Sequence, residues 1–117
     1  MILNPPEAAS PGDFIVVFVT FPDADLAASL AKTLVTEKLV ACVNILPGVR
    51  SVYAWEGKVC DENEILCVIK TRRVLFGAVR ECVTALHPYQ VPEIIALPLV
   101  EGNAPYLDWL RDETRTP

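Results

Sequence analysis

The chain has 117 residues, which fits one domain with a single core, and 52% of these residues are hydrophobic. Because a small monomer needs a mostly polar surface, this composition predicts that part of the surface is buried between subunits. The net charge of −5 argues against nucleic acid as the main partner, since binding to backbone phosphates requires a basic face.

The N-terminal residues 1–13 are predicted to form a flexible tail, because Pro5, Pro6, Pro11 and Gly12 interrupt any regular element there. Residues 1–31 contain no Lys or Arg, so they lack the basic region of a secretory signal. The apolar runs stay below the roughly 18 residues that span a bilayer. We therefore expect a single domain at residues 14–113, no membrane contact and a cytoplasmic location.

The first predicted elements are a strand and a helix. The β-branched and aromatic run from Phe14 to Phe21 predicts a buried strand. Pro22 and Asp23 open a helix that is expected to reach about Lys38. Its apolar stripe consists of residues repeated at every fourth position: Leu26, Leu30 and Leu34.

Two long strands are predicted next, at residues 39–55 with a bend near Pro47 and at residues 58–71. The Glu56–Gly57 turn joins them into a hairpin. Strands of about 15 residues are two to three times the usual length, so this hairpin would leave unpaired backbone edges on a small sheet. Pairing with another chain would cover these edges, which again predicts an oligomer.

A second helix is predicted from about Val74 to Leu86, with a stripe of Leu75, Val79, Val83 and Leu86 at spacings of three and four. Pro88 ends this helix. A last strand at residues 93–100 and a short helix near residues 106–110 complete the chain. The order predicts an α+β, ferredoxin-like βαββαβ fold whose antiparallel sheet is covered by helices on one face, a fold that serves many unrelated functions.

The only histidine, His87, stands at the end of the second helix. Two metal ligands on one helix need a spacing of three or four residues, and Thr84 and Val83 occupy those positions. His87 therefore has no chelating partner on its own helix. It either caps the helix or forms a hydrogen bond at a subunit interface, or it joins a metal site that another chain completes.

The four cysteines, Cys42, Cys60, Cys67 and Cys82, form no CxxC pair and are expected to be free thiols that pack as small hydrophobic groups. A Cys or Ser nucleophile would depend on His87 as its base, and no oxyanion hole is indicated, so we do not expect an enzyme.

Two charged runs have both a surface and a binding interpretation. Asp61–Glu64 offers carboxylates, but alternation along a strand lets only two of them converge, so a solvated strand edge is favoured over a cation site. Lys70–Arg73 precedes the second helix and is interpreted as surface charge, with an anion site as the alternative.

Several motifs occur in an order that resembles the CutA1 family of divalent-cation tolerance proteins. They are ACVNI at residues 41–45, YAWEGK at 53–58, IKT at 69–71, HPYQVPEI at 87–94 and YLDWL at 106–110. The resemblance covers roughly residues 14–111. It implies a ferredoxin-like homotrimer with the architecture of PII signalling proteins, a role in tolerance of copper and other divalent cations, and no enzyme activity.

The resemblance implies a metal ligand at one position only. Family members proposed to bind copper use Cys and His near this region, whereas this chain has Val19 on the first strand and Leu86 before His87. Only His87 is carried over as a ligand, with Cu(II) or another divalent cation as the cofactor. The expected function is that of a trimeric divalent-cation tolerance protein, and the alternative is a PII-like signalling module that binds a small molecule in clefts between subunits.

Overall fold

The computed structural model describes residues 11–117. A 3-10 turn at Pro11–Asp13 leads into the first strand, so most of the predicted flexible tail lies outside the described residues. The strands are β1 (Phe14–Phe21), β2 (Cys42–Trp55), β3 (Lys58–Arg72) and β4 (Ile94–Pro98), and the helices are α1 (Ala24–Thr36), α2 (Phe76–Leu86) and α3 (Ala104–Asp112).

The four strands form one antiparallel sheet in the order β2-β3-β1-β4. β1 lies between β3 and β4, and β2 and β4 are the edge strands. The predicted α+β, ferredoxin-like arrangement of strands and helices is confirmed.

The main core lies between one face of the sheet and helices α1 and α2. It contains buried residues from the sheet and both helices: Ile15, Val17, Val19, Phe21, Ala27, Leu30, Leu34, Leu39, Val40, Cys67, Ile69, Leu75, Val79 and Val83. A smaller cluster of Phe14, Leu107 and Leu110 fixes α3 to the start of β1. The hairpin and the loop that follows α2 lie beyond the end of β1, outside these two clusters.

The ends of several elements differ from the sequence prediction. α1 ends at Thr36 because Lys38 adopts a left-handed φ of 57°, which turns the chain towards β2. α2 begins at Phe76, after a 3-10 turn at Arg73–Leu75. Leu86, the last residue of the predicted stripe, is 52% exposed, and the adjacent His87 is buried at the helix end instead.

The long hairpin of β2 and β3 is confirmed, with strands of 14 and 15 residues. Its register shifts between Leu46 and Val49, at the predicted bend, where Gly48 has φ 79°. The turn at Glu56 and Gly57 has φ values of 50° and 77°, typical of tight hairpin turns. Because β1 pairs with β3 only from residue 65 onwards, the outer part of the hairpin projects from the sheet and the chain is 65 Å long.

The face of the sheet opposite α1 and α2 is also apolar; we call it the open face. Paired residues of adjacent strands share a face, and the pairing of Val16 with Leu97 and of Phe18 with Ile95 places these four side chains together. Leu97 and Ile95 are 54% and 53% exposed. The described residues leave much of this apolar surface uncovered.

Candidate functional site

His87 is the C-cap residue of α2, and its side chain is 9% exposed. The backbone N–H donates to the carbonyl of Val83 at 2.8 Å, and the extended conformation of His87 ends the helix before Pro88. The imidazole ring stacks on Phe21 at the end of β1, with ring centroids 4.7 Å apart. The single histidine therefore connects α2 to the sheet.

Both ring nitrogens of His87 have partners within the chain. The backbone N–H of Tyr89 donates to Nδ1 at 3.1 Å, so Nδ1 is an acceptor and the ring proton of the neutral imidazole lies on Nε2. Nε2 then donates to the backbone carbonyl of Thr20 at 2.7 Å. A metal ion at either nitrogen would have to replace one of these hydrogen bonds.

The side chains of one chain do not fit a resident metal centre. Within residues 11–117, no group of three or more His, Cys, Asp or Glu side chains is placed to hold a metal ion. His87 also has no free ring lone pair, as its hydrogen bonds show. A metal ligand set would need rearrangement or side chains from another chain.

A cleft of about 670 Å³ lies between the projecting part of the hairpin and the loop that follows α2. We call it the hairpin cleft. The hairpin contributes one wall and residues 88–93 the other. Its lining is Thr20, Ser51, Val52, Tyr53, Trp55, Glu64, Pro88, Tyr89, Gln90, Val91 and Glu93.

Glu64 lies in this cleft and is only 6% exposed. Its Oε2 accepts a hydrogen bond from the phenol of Tyr89 at 2.9 Å. The prediction of a solvated strand edge was therefore wrong for Glu64, because the chain after α2 returns across β3 and covers it. It holds for Asp61, which pairs with Arg50 at 2.6 Å on the exposed hairpin.

The tyrosines of the hairpin cleft are held in the protonated form. Burial, the hydrogen bond to Glu64 and the charges of nearby carboxylates raise the pKa of Tyr89 well above its usual range. Partial burial and the adjacent Glu62 carboxylate raise the pKa of Tyr53 to about 12. Near neutral pH both phenols are uncharged hydrogen-bond donors beside carboxylates.

The basic run before α2 serves the fold. Thr71 is buried and its hydroxyl donates to the carbonyl of Leu39 at 2.6 Å. Arg72 donates from Nε to the hydroxyl of Thr114 at 2.8 Å and from Nη2 to the carbonyl of Arg115, which fixes the C-terminal segment. The surface interpretation of this run is thus incomplete for Arg72, whose guanidinium is committed to these contacts.

All four cysteines are free, as predicted. Cys67 is buried on β3, and burial raises the pKa of its thiol to about 11. The other three, Cys42, Cys60 and Cys82, are half-buried.

The chain is a small ferredoxin-like α+β protein, as its sheet order, the two helices on one face and the terminal helix show. The strands of its central hairpin are much longer than β1 and β4. Residues 15–113 match the family model described as CutA1 divalent ion tolerance protein. The chain belongs to the CutA1 family, as the sequence motifs predicted.

Similar proteins extend from bacteria to plants. The chain is 52% identical over 99 residues to the "Divalent-cation tolerance protein CutA" of Thermus thermophilus, covering 85% of this chain and 96% of that protein. It is 54% identical over 101 residues to "Protein CutA 1, chloroplastic" of Oryza sativa, covering 86% of this chain but only 57% of that protein.

Solved structures of relatives have the same fold. The Thermus thermophilus Cut A1 structure superimposes with a TM-score of 0.85 at 51% identity, covering 87% of this chain and 99% of that chain. The crystal structure of CutA1 from Oryza sativa gives a TM-score of 0.86 at 52% identity, covering 89% and 95%. Among the described residues, no helix has the length and apolar character needed to cross a membrane.

Proposed function

We propose that this chain forms a homotrimer that contributes to divalent-cation tolerance by binding copper or other divalent ions, without enzymatic activity. Membership of the CutA1 family supports the cation role. The observation that carries the trimer is the exposed apolar open face next to a hairpin with unpaired edges.

Association of copies would remove this apolar surface from water. Leu46, Ile95 and Leu97 are 42%, 53% and 54% exposed on the open face. The outer part of β3 lacks a partner on its β1 side, and the edges of β2 and β4 are unpaired within the described residues. Contacts that join different surfaces of successive copies close into a ring when the rotation between copies allows it, and we propose a ring of three that covers the open face and pairs the strand edges.

Sedimentation equilibrium at micromolar protein concentration tests the assembly, and we expect a mass three times that of the chain. A stable monomer would contradict the proposal, because the open face would then remain in water.

We propose that the metal is bound weakly, at a site that more than one chain completes. His87 remains the predicted ligand, but it must first give up its hydrogen bond to Thr20 or to Tyr89. A single imidazole that loses a hydrogen bond on binding Cu(II) binds it only modestly. Calorimetric copper titration of the trimer and of a monomeric variant tests the shared site, and equal copper affinity in both would contradict it.

The hairpin cleft favours a second candidate function, the binding of a small molecule by a PII-like signalling module. The lining residues come from one chain, whereas the sequence predicts a cleft between subunits. The hairpin cleft's volume of about 670 Å³ and its aromatic and carboxylate lining are typical of small-ligand sites. Titration with small organic probes of different charge tests this candidate independently of copper.

We further propose a cytoplasmic location and no nucleic-acid or membrane partner. The net charge of −5 argues against nucleic acid as a partner. The names of relatives differ, since the Oryza sativa protein is called chloroplastic and the Archaeoglobus fulgidus protein periplasmic. Fractionation of the source cells tests the location, and recovery of the protein outside the cytoplasmic fraction would contradict it.

A further inference from the structure

The walls of the hairpin cleft combine aromatic rings with carboxylates. Tyr53, Trp55 and Tyr89 contribute rings, and Glu64 and Glu93 contribute carboxylates. None of the described lining residues is a lysine or an arginine. The cleft therefore has the charge and surface that complement a positively charged ligand with an apolar body.

We propose that the hairpin cleft binds a small organic ammonium cation. This inference rests on the second candidate function, ligand binding in the cleft, and specifies the chemical class of the ligand. The aromatic rings attract the cation and pack against its carbon atoms, while the buried Glu64 supplies the opposite charge.

The position of Glu64 distinguishes this site from a chance group of surface acids. The side chain is 6% exposed, and the Tyr89 phenol holds one carboxylate oxygen at 2.9 Å. The direction of the carboxylate is therefore fixed before a ligand arrives, which reduces the entropy lost on binding. Glu93 lies at the other wall and is exposed.

The same geometry favours an ammonium ion over a bare metal ion. Divalent metals need several ligand atoms around one point, and no group of three or more metal-ligating side chains meets within residues 11–117. An alkyl-substituted ammonium ion needs only one carboxylate when aromatic rings contact its alkyl groups. The cleft offers the Glu64 carboxylate and three aromatic side chains in one lining, which suits this second requirement.

An anionic ligand is disfavoured by the carboxylates on both walls. The Tyr53 and Tyr89 phenols keep their protons because burial and nearby carboxylates raise the pKa of both groups. These donors lie beside carboxylates, and the Tyr89 phenol is already bonded to Glu64. They cannot compensate for the repulsion that an anion would meet there.

Tryptophan fluorescence provides the assay, because Trp55 lies in the cleft and Trp109 is the only other tryptophan. In the full chain with Trp109→Phe, Trp55 alone reports ligand binding. The probes are tetramethylammonium, its neutral analogue tert-butanol and the anion pivalate, each at equal ionic strength maintained with sodium chloride. We expect saturable binding of tetramethylammonium with a dissociation constant of about 1 mM, and at least about tenfold weaker binding of the other two probes.

Charge variants locate the site. Glu64→Gln keeps an oxygen that can accept from Tyr89 but removes the charge, and we expect about tenfold weaker binding of tetramethylammonium. Glu81→Gln makes the same change in net charge on the exposed side of α2, away from the cleft, and should change the affinity by less than about twofold. If Glu64→Gln fails to fold by circular dichroism, Glu93→Gln on the exposed wall replaces it, with an expected loss of about threefold.

The outcomes separate this inference from the function on which it rests. If pivalate or tert-butanol binds as tightly as tetramethylammonium, the cleft is a ligand site but the ammonium assignment is wrong. Equal affinities in Glu64→Gln and Glu81→Gln would also overturn the assignment. If none of the three probes binds up to about 100 mM, a concentration at which even weak sites fill, both the inference and the second candidate function fail.

Discussion

Replacing His87 by alanine should destabilise the fold considerably, because the ring is buried and has three sets of contacts. The substitution leaves the Thr20 carbonyl and the Tyr89 N–H without their partners. Each lost hydrogen bond is worth about 1 kcal/mol, and the ring stack on Phe21 contributes about another 1 kcal/mol. The free energy of unfolding should therefore fall by about 3 kcal/mol, more than the loss of a simple helix cap.

Urea denaturation followed by circular dichroism measures this change. Wild type and variant must be compared at one protomer concentration, because assembly would add to the apparent stability. Leu86→Ala is the matched control, since Leu86 is adjacent and 52% exposed, and it should cost less than about 1 kcal/mol.

Two further variants assign the contribution of each ring nitrogen. His87→Asn can retain an acceptor near the Nδ1 position for the Tyr89 N–H, and His87→Gln can retain a donor near the Nε2 position for the Thr20 carbonyl. Each should recover about 1 kcal/mol relative to alanine. A loss of less than about 1 kcal/mol in His87→Ala, with no recovery in either variant, would refute the anchoring role.

Three other predictions concern assembly, thiols and phenols. Leu97→Asp places a charge on the open face and should turn the proposed trimer into a monomer in sedimentation. Ser29→Asp on the exposed side of α1 should leave the mass in sedimentation unchanged. Cys67 should resist alkylation in the native protein at pH 8, because burial raises the pKa of its thiol to about 11. The same thiol should react quickly in urea. Fast alkylation of the native protein would contradict the buried position. The pKa of Tyr53 is raised from 10.0 to about 12 in the folded state, so the unfolded chain loses this proton first and the free energy of unfolding should fall between those pH values. Tyr53→Phe should lessen that fall in urea titrations at several pH values. An unchanged pH dependence in the variant would argue against the raised pKa.

The order of elements could be predicted because its signals are local. Asp23 precedes a helical repeat and accepts a hydrogen bond from the Leu26 N–H at 2.8 Å, as expected for an N-cap. Gly57 supplies the left-handed conformation that a tight hairpin requires. These signals depend on residues a few positions apart, so one sequence is enough.

The contacts of the candidate site could not be predicted because they join distant parts of the chain. The ring of His87 bonds to Thr20, 67 residues earlier, and Tyr89 bonds to Glu64, 25 residues earlier. Nothing near Glu64 in the sequence distinguishes it from the exposed acids beside it. Only the fold brings the loop after α2 close to β3, where Tyr89 contacts Glu64.

The two proposed binding activities share one loop, so they should influence each other if copper uses His87. Copper at Nδ1 would release the Tyr89 backbone N–H, and the Tyr89 side chain forms a wall of the hairpin cleft and holds Glu64. A ligand that favours the ordered loop should then weaken copper binding. Linkage requires copper to lower the affinity for that ligand by the same factor. Copper titration with and without saturating tetramethylammonium should show a difference of about fivefold, within the usual range for coupled sites. If copper affinity is unchanged by the saturated cleft and also unchanged in folded His87→Asn, copper binds elsewhere and His87 serves only to anchor the loop.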